Sequence, residues 1–417
     1  MLSLLAGGAG VLVSAPAIYL AVLSGAAASG PVPVGHGAGR PPRLVVLVPA
    51  HDEEELLGRC LASLAAQDYP DESYRVVVIA DNCTDRTADV ARDSGVQVLE
   101  RHDLQLRGKG HALRWAMDLL GDDSDLDAFV VVDADSIAER GLLSGLAGAA
   151  ERGAEVAQAD YGALLESEDA PAQLRGLAFL LFHRVRFSGK ARLGLPCSLV
   201  GNGMLVAREV SRRHPWAAFS EVEDLEYSLQ LRLAGVAPVF APGARLAAPV
   251  ATAGAGAQVQ RRRWEGGRAR VTARYLPQVA SVALRQRRWR LWDVLADLAV
   301  PPLGVLATAS AGGAAVTLGL AVLGAVPVWT VLPWAVALGG LAGHVLLGLR
   351  LADDPGRLAA ALASAPRLLL ADMATRVRMD LSGSDGERWV RTPRDAETSV
   401  TADAAEPHRH VMRSQAT

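Results

Sequence analysis

Three patterns of apolar and polar positions divide the 417-residue chain. The first is the unbroken apolar run. Residues 1–39 contain no Lys, Arg, Asp or Glu, and 2–28 are long enough to cross a bilayer, which takes roughly 20 apolar residues. Residues 298–349 again carry no charge, and they divide into two spans, 298–323 and 328–349, around Pro327 and Trp329. A buried hairpin in a soluble protein would keep a polar face, and this one has none, so both blocks read as membrane helices.

The second pattern alternates short β-branched runs with helical spacing. Residues 44–48, 76–80, 96–99 and 129–132 read as strands. Residues 53–65, with Leu56, Leu57, Leu61 and Leu64 on one face, read as a helix, as do 84–94 and 112–120. Such alternation predicts an α/β domain with a mainly parallel sheet covered on both faces, whose ligand crevice lies at the carboxyl ends of the strands. The third pattern, 355–379, intersperses Arg357, Arg367, Arg376 and Arg378 among apolar residues. It reads as a helix in the membrane interface, or one packed on the domain. The expected layout is therefore a transmembrane helix (1–29), an α/β domain (40–275), a basic juxtamembrane segment (276–297), two transmembrane helices (298–349), an interfacial helical segment (350–381) and a flexible polar tail (382–417).

Charge adds an orientation. Arg40 and Arg43 follow the first span, Arg285, Arg287 and Arg288 precede the second block, and Arg350 and Arg357 follow it. The positive-inside rule then places the N-terminus outside and residues 40–290 in the cytoplasm, as an integral protein of the cell membrane. Ala26-Ala27-Ala28 resembles a signal-peptide cleavage site, but the basic n-region is missing, so an anchor is the preferred reading. A net charge of -3 argues against a general nucleic-acid binder. The three cysteines form no CxxC pair, which removes a zinc or disulfide framework from consideration.

The candidate chemistry sits at the strand ends. His51-Asp52-Glu53 follows the first strand, Asp81-Asn82 the second, and FVVVDADS (129–136) ends the fourth in Asp133 and Asp135. In a strand those two carboxylates share a face, and they need a cation or donors to offset their repulsion; an Asp at a strand end also simply opens a turn. Three acidic strand ends on one sheet edge look like a site. No GxGxxG or GxxxxGK[ST] is present, so a nucleotide here would be held by carboxylates, a metal and a lysine. Lys109, in Arg107-Gly108-Lys109-Gly110 before a helix start, is that lysine. Ser220-Glu221-Val222-Glu223 reads as a capping box with Ser220 as N-cap, which puts Asp224 in the first helical turn. In Gln260-Arg261-Arg262-Arg263-Trp264, the arginines form a basic face near lipid headgroups or brace a diphosphate, and Trp264 anchors at the interface or stacks on a sugar.

The ordered set VPAHDEE, ADNCTD, GKG, VVDADS, VED and QRRRW resembles the membrane-bound members of glycosyltransferase family 2, such as cellulose, chitin and hyaluronan synthases and ceramide glucosyltransferases. The resemblance covers about 43–270 and implies a GT-A fold for the α/β domain. It implies that Asp81 contacts the uridine, with Glu53 shaping that pocket. Asp133 and Asp135 match the DxD motif, which holds Mg²⁺ or Mn²⁺ with the nucleotide; Asp135 is the direct ligand. Asp224 matches the general base, and Gln260, Arg263 and Trp264 match QxxRW, which gathers the diphosphate and the acceptor end. Hard oxygen ligands suit such ions. The implied reaction is an inverting transfer from a UDP-sugar to a membrane lipid or a growing polysaccharide at the cytoplasmic face.

Asp52 and Val222 stand where the family often has Asn and Thr, and the second departure leaves the acceptor open. Three spans offer little material for a polymer channel, so transfer to one lipid, or polymerisation with a partner subunit or second copy, both fit. A sugar-nucleotide pyrophosphorylase would want a Gly-rich, Arg-containing loop after the first strand, where this chain is acidic. A non-catalytic membrane scaffold would be expected to lose the base or the metal carboxylate, and neither is lost.

Overall fold

The structure, a computed structural model, describes residues 1–30, 40–165, 167–250 and 254–368, with the backbone alone for 254–263. Among the described residues, eight strands form one sheet: β1 (Leu44–Ala50), β2 (Tyr74–Asp81), β3 (Gln97–Arg101), β4 (Ala128–Val131), β5 (Ile137–Ala138), β6 (Val156–Leu164), β7 (Met204–Ala207) and β8 (Val239–Pro249). Their order is β3-β2-β1-β4-β7-β6-β8-β5. β3, β2, β1 and β4 run parallel, β7 is antiparallel to both β4 and β6, and β8 is parallel to β6. The mainly parallel α/β sheet is thus observed.

Alternation along β1 explains why both faces must be covered. Leu44, Val46 and Val48 pack with the helices Leu57–Ala65 and Leu142–Glu151, while Val45 and Leu47 pack on the other face with the helices Lys109–Leu120 and Glu223–Ala234. The chain goes from β1 to β2 and β3 on one side, then returns to place β4 on the other. That reversal between β1 and β4 opens a crevice at their carboxyl ends.

Two local expectations are corrected. The first helix starts at Leu57 rather than at residue 53, because the residues before it form a turn. There the Glu53 N–H donates to Thr87 Oγ1 (2.7 Å) and the Glu54 N–H to Asp85 Oδ2 (3.1 Å). And β4 ends at Val131, so Asp133 and Asp135 do not share a strand face. They lie in a turn closed by the Ser136 N–H on the Asp133 carbonyl oxygen at 3.0 Å.

Among the described residues, three helices are long and apolar enough to cross a membrane: Leu2–Ala28, Leu303–Val322 and Val328–Leu349. Small residues let them approach closely. A Cβ at Gly340 would lie 2.9 Å from the Ala17 carbonyl oxygen, and Ser24 Oγ lies 2.6 Å from His344 Nδ1. The helix Gly254–Arg285 passes through residue 275, joining the α/β domain to the basic segment without a break. Of the interfacial segment, the helix Pro355–Leu362 is seen, capped by Asp354; Arg376, Arg378 and the tail from 382 lie outside the described residues.

Candidate active site

Lys109 opens the helix Lys109–Leu120 after Gly108, whose φ of 109° suits glycine alone at the tight entry. Its Nζ donates to Asp133 and, at 2.6 Å, to the Gly201 carbonyl oxygen. Burial would discharge this lysine, but Asp133 and Glu223 more than offset it and hold the ammonium above its ordinary range.

The loop Gly201-Asn202-Gly203 lies under the Asp133–Asp135 turn. Asn202, fully buried, accepts the Asp133 N–H on Oδ1 (3.1 Å) and donates from Nδ2 to Ser136 Oγ (2.7 Å). Gln158 holds the loop in turn, donating to the Asn202 carbonyl oxygen at 2.7 Å and accepting the Val200 N–H at 3.0 Å. Gly201 has φ 81°, and a Cβ there would lie 3.2 Å from Asp224 Oδ2 and 3.5 Å from Lys109 Nζ. The backbone therefore comes close to both side chains only because position 201 has none.

Asp224 lies in the first turn of Glu223–Ala234, accepting the Leu225 N–H at 2.7 Å. The capping box is not formed. The helix starts at Glu223 with Val222 as N-cap, and the buried Ser220 Oγ has no partner among the described residues. The helix dipole still favours the ionised Asp224, but burial dominates and raises its carboxyl above the usual range, with Lys109 pulling the other way. Burial, offset by Lys109 and reinforced by the Asp224 charge, pushes Glu223 up to about 7.

Asp81 ends β2, buried and paired with Arg101 at 2.6 Å, and the His51 Nδ1–H donates to its carbonyl oxygen at 2.7 Å. Asp52 ties the β1 turn to the next by accepting the Thr84 N–H at 2.7 Å. Both Asp52 and Asn82 have φ of 54°, a left-handed conformation in which short polar side chains are enriched.

One cleft of about 1720 Å³ brings Asp81, Lys109, Asp133, Asp135, Asp224 and Trp264 onto a common wall system. Asp52, rather than Glu53, lines it from the β1 turn. Gln260 and Arg263 belong to the helix Gly254–Arg285, and their side chains lie outside the described residues. The cleft also takes in Tyr161 and Arg268, which the sequence reading did not single out, and Glu223, which it read only as part of the capping box. Glu223 was readable, since it precedes Asp224 in an acidic helix start; Tyr161 and Arg268 carry no local signal, being ordinary residues of a strand and a helix.

The donor set can accept a divalent cation. Asp133, Asp135, Glu223 and Asp224 bring four carboxylates to a cleft wall where Lys109 is the nearby lysine. Asp133 and Asp135 are hard oxygen donors from one turn, and such ions are commonly held by one or two carboxylates with the remaining ligands from substrate phosphates. Among the described residues, the trio whose ligand atoms lie within 4.8 Å of one another is instead His51, Asp52 and Cys83. There Asp52 is already engaged in joining the two turns.

Residues 41–267 match the family described as "Glycosyltransferase like family 2". A probable glycosyltransferase, YdaM, of Bacillus subtilis (strain 168) is 29% identical over 105 residues, 24% of this chain and 24% of that protein. Protein RfbJ of Shigella flexneri is 30% identical over 92 residues, 22% of this chain and 64% of that protein. The matches thus span less than two thirds of either relative. Similar solved structures include the mannosyltransferase PcManGT from Pyrobaculum calidifontis in complex with GDP-Man and Mn²⁺ (19% identity, TM-score 0.46, 81% of this chain and 97% of that one). Another is glucosyl-3-phosphoglycerate synthase from Mycobacterium tuberculosis in complex with Mn²⁺, UDP and glucosyl-3-phosphoglycerate (20% identity, TM-score 0.37, 54% of this chain and 77% of that one). With its family match extending over more than half of the 417 residues, the chain belongs to the glycosyltransferase-like family 2.

Proposed function

We propose that the protein is an inverting, metal-dependent glycosyltransferase that moves a sugar from a UDP-sugar to an acceptor at the cytoplasmic membrane face. The observation that carries this reading is the meeting of Lys109, Asp133 and Asp224 around the Gly201 backbone at the carboxyl end of the sheet. Asp81 and the β1 turn would face the uridine, and Lys109 would meet the diphosphate while keeping Asp133 in place. Asp133 and Asp135 would hold Mg²⁺ or Mn²⁺, which when bound supplies positive charge to the diphosphate leaving group. Gln260 and Arg263 are assigned to the diphosphate by the QxxRW match, and Trp264 to the acceptor end by the same match and by its place on the cleft wall.

Asp224 is the base. Its raised carboxyl makes it a better proton acceptor than an exposed aspartate, at the cost of being ionised over a narrower pH range. It takes the proton of an acceptor hydroxyl, whose oxygen bonds to the anomeric carbon as the bond to the UDP oxygen breaks. A single displacement of this kind inverts the anomeric centre. The test is UDP release by the purified protein in native membrane lipids, with a panel of UDP-sugars, in Mn²⁺ and in EDTA. Metal-dependent release from one donor is expected; UDP binding that is absent with every metal would overturn the assignment.

A further inference from the structure

The cleft does not end at the nucleotide site. Its far limb is walled by Leu177, Phe182, Leu303, Ala307, Leu341 and Val345, drawn from the two C-terminal candidate membrane spans and from the helical segments Ala170–Leu180 and Leu181–Val185. These six side chains are apolar, with His183 and His344 beside them on the cleft wall, and four of the six come from helices able to lie in a bilayer.

Where the apolar limb meets the acidic one, the charge reverses. Arg186, Lys190 and Arg232 pair with two carboxylates, Asp293 and Asp297, and Arg268 donates to the Asp297 carbonyl oxygen at 2.9 Å. Tyr19 adds only a neutral hydroxyl, donating to Asp293 at 2.8 Å. With Asp224 also acting on Arg268, the described residues set four cations against three carboxylates in a mostly buried place, and the remaining positive charge is unfavourable without a further anion. Arg186, Arg268 and Asp297 reach the cleft wall. Arg186 is 4% exposed, and its Nε has no hydrogen-bond partner among the described residues. The next negative charge to act on Arg268 is Asp224, so this arginine stands between the cluster and the proposed base.

We infer that the acceptor is a phosphate-bearing membrane lipid with a free headgroup hydroxyl, its tail in the apolar limb, its phosphate at Arg186 and Arg268, and its hydroxyl at Asp224. The inference rests on the transferase reading above and selects the lipid from the two acceptor classes. The polarity order along the cleft (apolar, cationic, acidic) matches the order tail, phosphate, hydroxyl along such a lipid. In the transfer, the hydroxyl oxygen bonds to the anomeric carbon, the bond from that carbon to the UDP oxygen breaks with its electron pair leaving on UDP, and the proton passes to Asp224.

The experiment uses the full-length protein, delipidated in detergent, and reads retained lipid by native mass spectrometry. The probes are phosphatidylglycerol, a galactosyl diacylglycerol with the same tails and no phosphate, and glycerophosphorylglycerol with no tail. UDP binding with Mn²⁺ is measured on the same samples by calorimetry. Phosphatidylglycerol is expected to be retained at least tenfold over the other two. Ala307→Trp, which fills the apolar limb without changing charge, should abolish retention, and Arg268→Gln should erase the preference over the galactolipid. Equal retention of the galactolipid overturns the phosphate assignment. Equal retention of glycerophosphorylglycerol, or retention unchanged in Ala307→Trp, overturns the apolar limb. Loss of UDP binding in the wild type would defeat the transferase reading instead, whereas UDP binding without lipid retention defeats this inference alone.

Discussion

At the scale of single residues, the site is governed by which charges are compensated and which are not. Asp81 is compensated: its carboxylate and the Arg101 guanidinium are both nearly inaccessible and 2.6 Å apart. Arg101→Met would leave a buried carboxylate alone, and a loss of about 3–5 kcal/mol in unfolding free energy is expected, read by thermal or denaturant unfolding of the solubilised protein. An unchanged midpoint would mean that Asp81 reaches solvent after all. Glu223 and Asp224 are the opposite case, two neighbouring carboxylates whose shared repulsion and burial are met chiefly by Lys109. With Asp224 as the proposed base, activity needs it ionised, and its acid form is favoured above the usual carboxylate range, so the rate should fall as pH drops through that raised value. Glu223 is itself raised by the Asp224 charge, to about 7, so as pH falls it is protonated before Asp224 and no longer faces it as a charge. Glu223→Gln should therefore leave the acid limb of the pH–rate profile where it is. A limb that moved to lower pH would show that Glu223 stays ionised beside the base.

At the scale of elements, contrasts in sequence explain what could be read in advance. The strands β1, β2 and β4 were legible because Val- and Ile-rich runs bounded by polar strand ends admit little else. The membrane helices were legible from the absence of charge. Boundaries set by tertiary bonds were not: the first helix loses residues 53–56 to contacts with Thr87 and Asp85, more than thirty positions away. The Ser220 cap failed for a similar reason. The local pattern fits a capping box, but the Ser220 N–H is turned toward Glu226 Oε2, 3.3 Å away, and the helix starts later. Asn202 and Gln158, which fix the acidic turn from beneath, could be suspected only from the paired glycines around Asn202. Helix packing in the membrane layer yields its own prediction. A Cβ at Gly340 already approaches the Ala17 carbonyl oxygen at 2.9 Å, so Gly340→Leu must part the two helices. A destabilisation of about 1–3 kcal/mol is expected from such overpacking, measured as a lower unfolding temperature in detergent; wild-type stability would show that the helices can slide apart at no cost.

At the scale of the whole molecule, the proposed mechanism joins the carboxyl edge of the sheet to an apolar limb through a cationic cluster, and it depends on the sheet lying on the cytoplasmic side. Ser94 is exposed at the end of the helix Thr87–Asp93, remote from the spans in sequence. In a Cys83→Ser background, with Cys60 and Cys197 buried, a cysteine at position 94 should resist a membrane-impermeant thiol reagent in intact cells and react after lysis. Labelling in intact cells would invert the orientation. The central claim, that Asp224 removes the acceptor proton while other residues hold the nucleotide, is tested most directly by Asp224→Asn, with turnover and UDP binding measured on the same preparation. The account predicts that turnover falls by about 10²–10⁴-fold while metal-dependent UDP binding stays near the wild-type value. Wild-type turnover in Asp224→Asn would contradict it, because the proton would then have another destination.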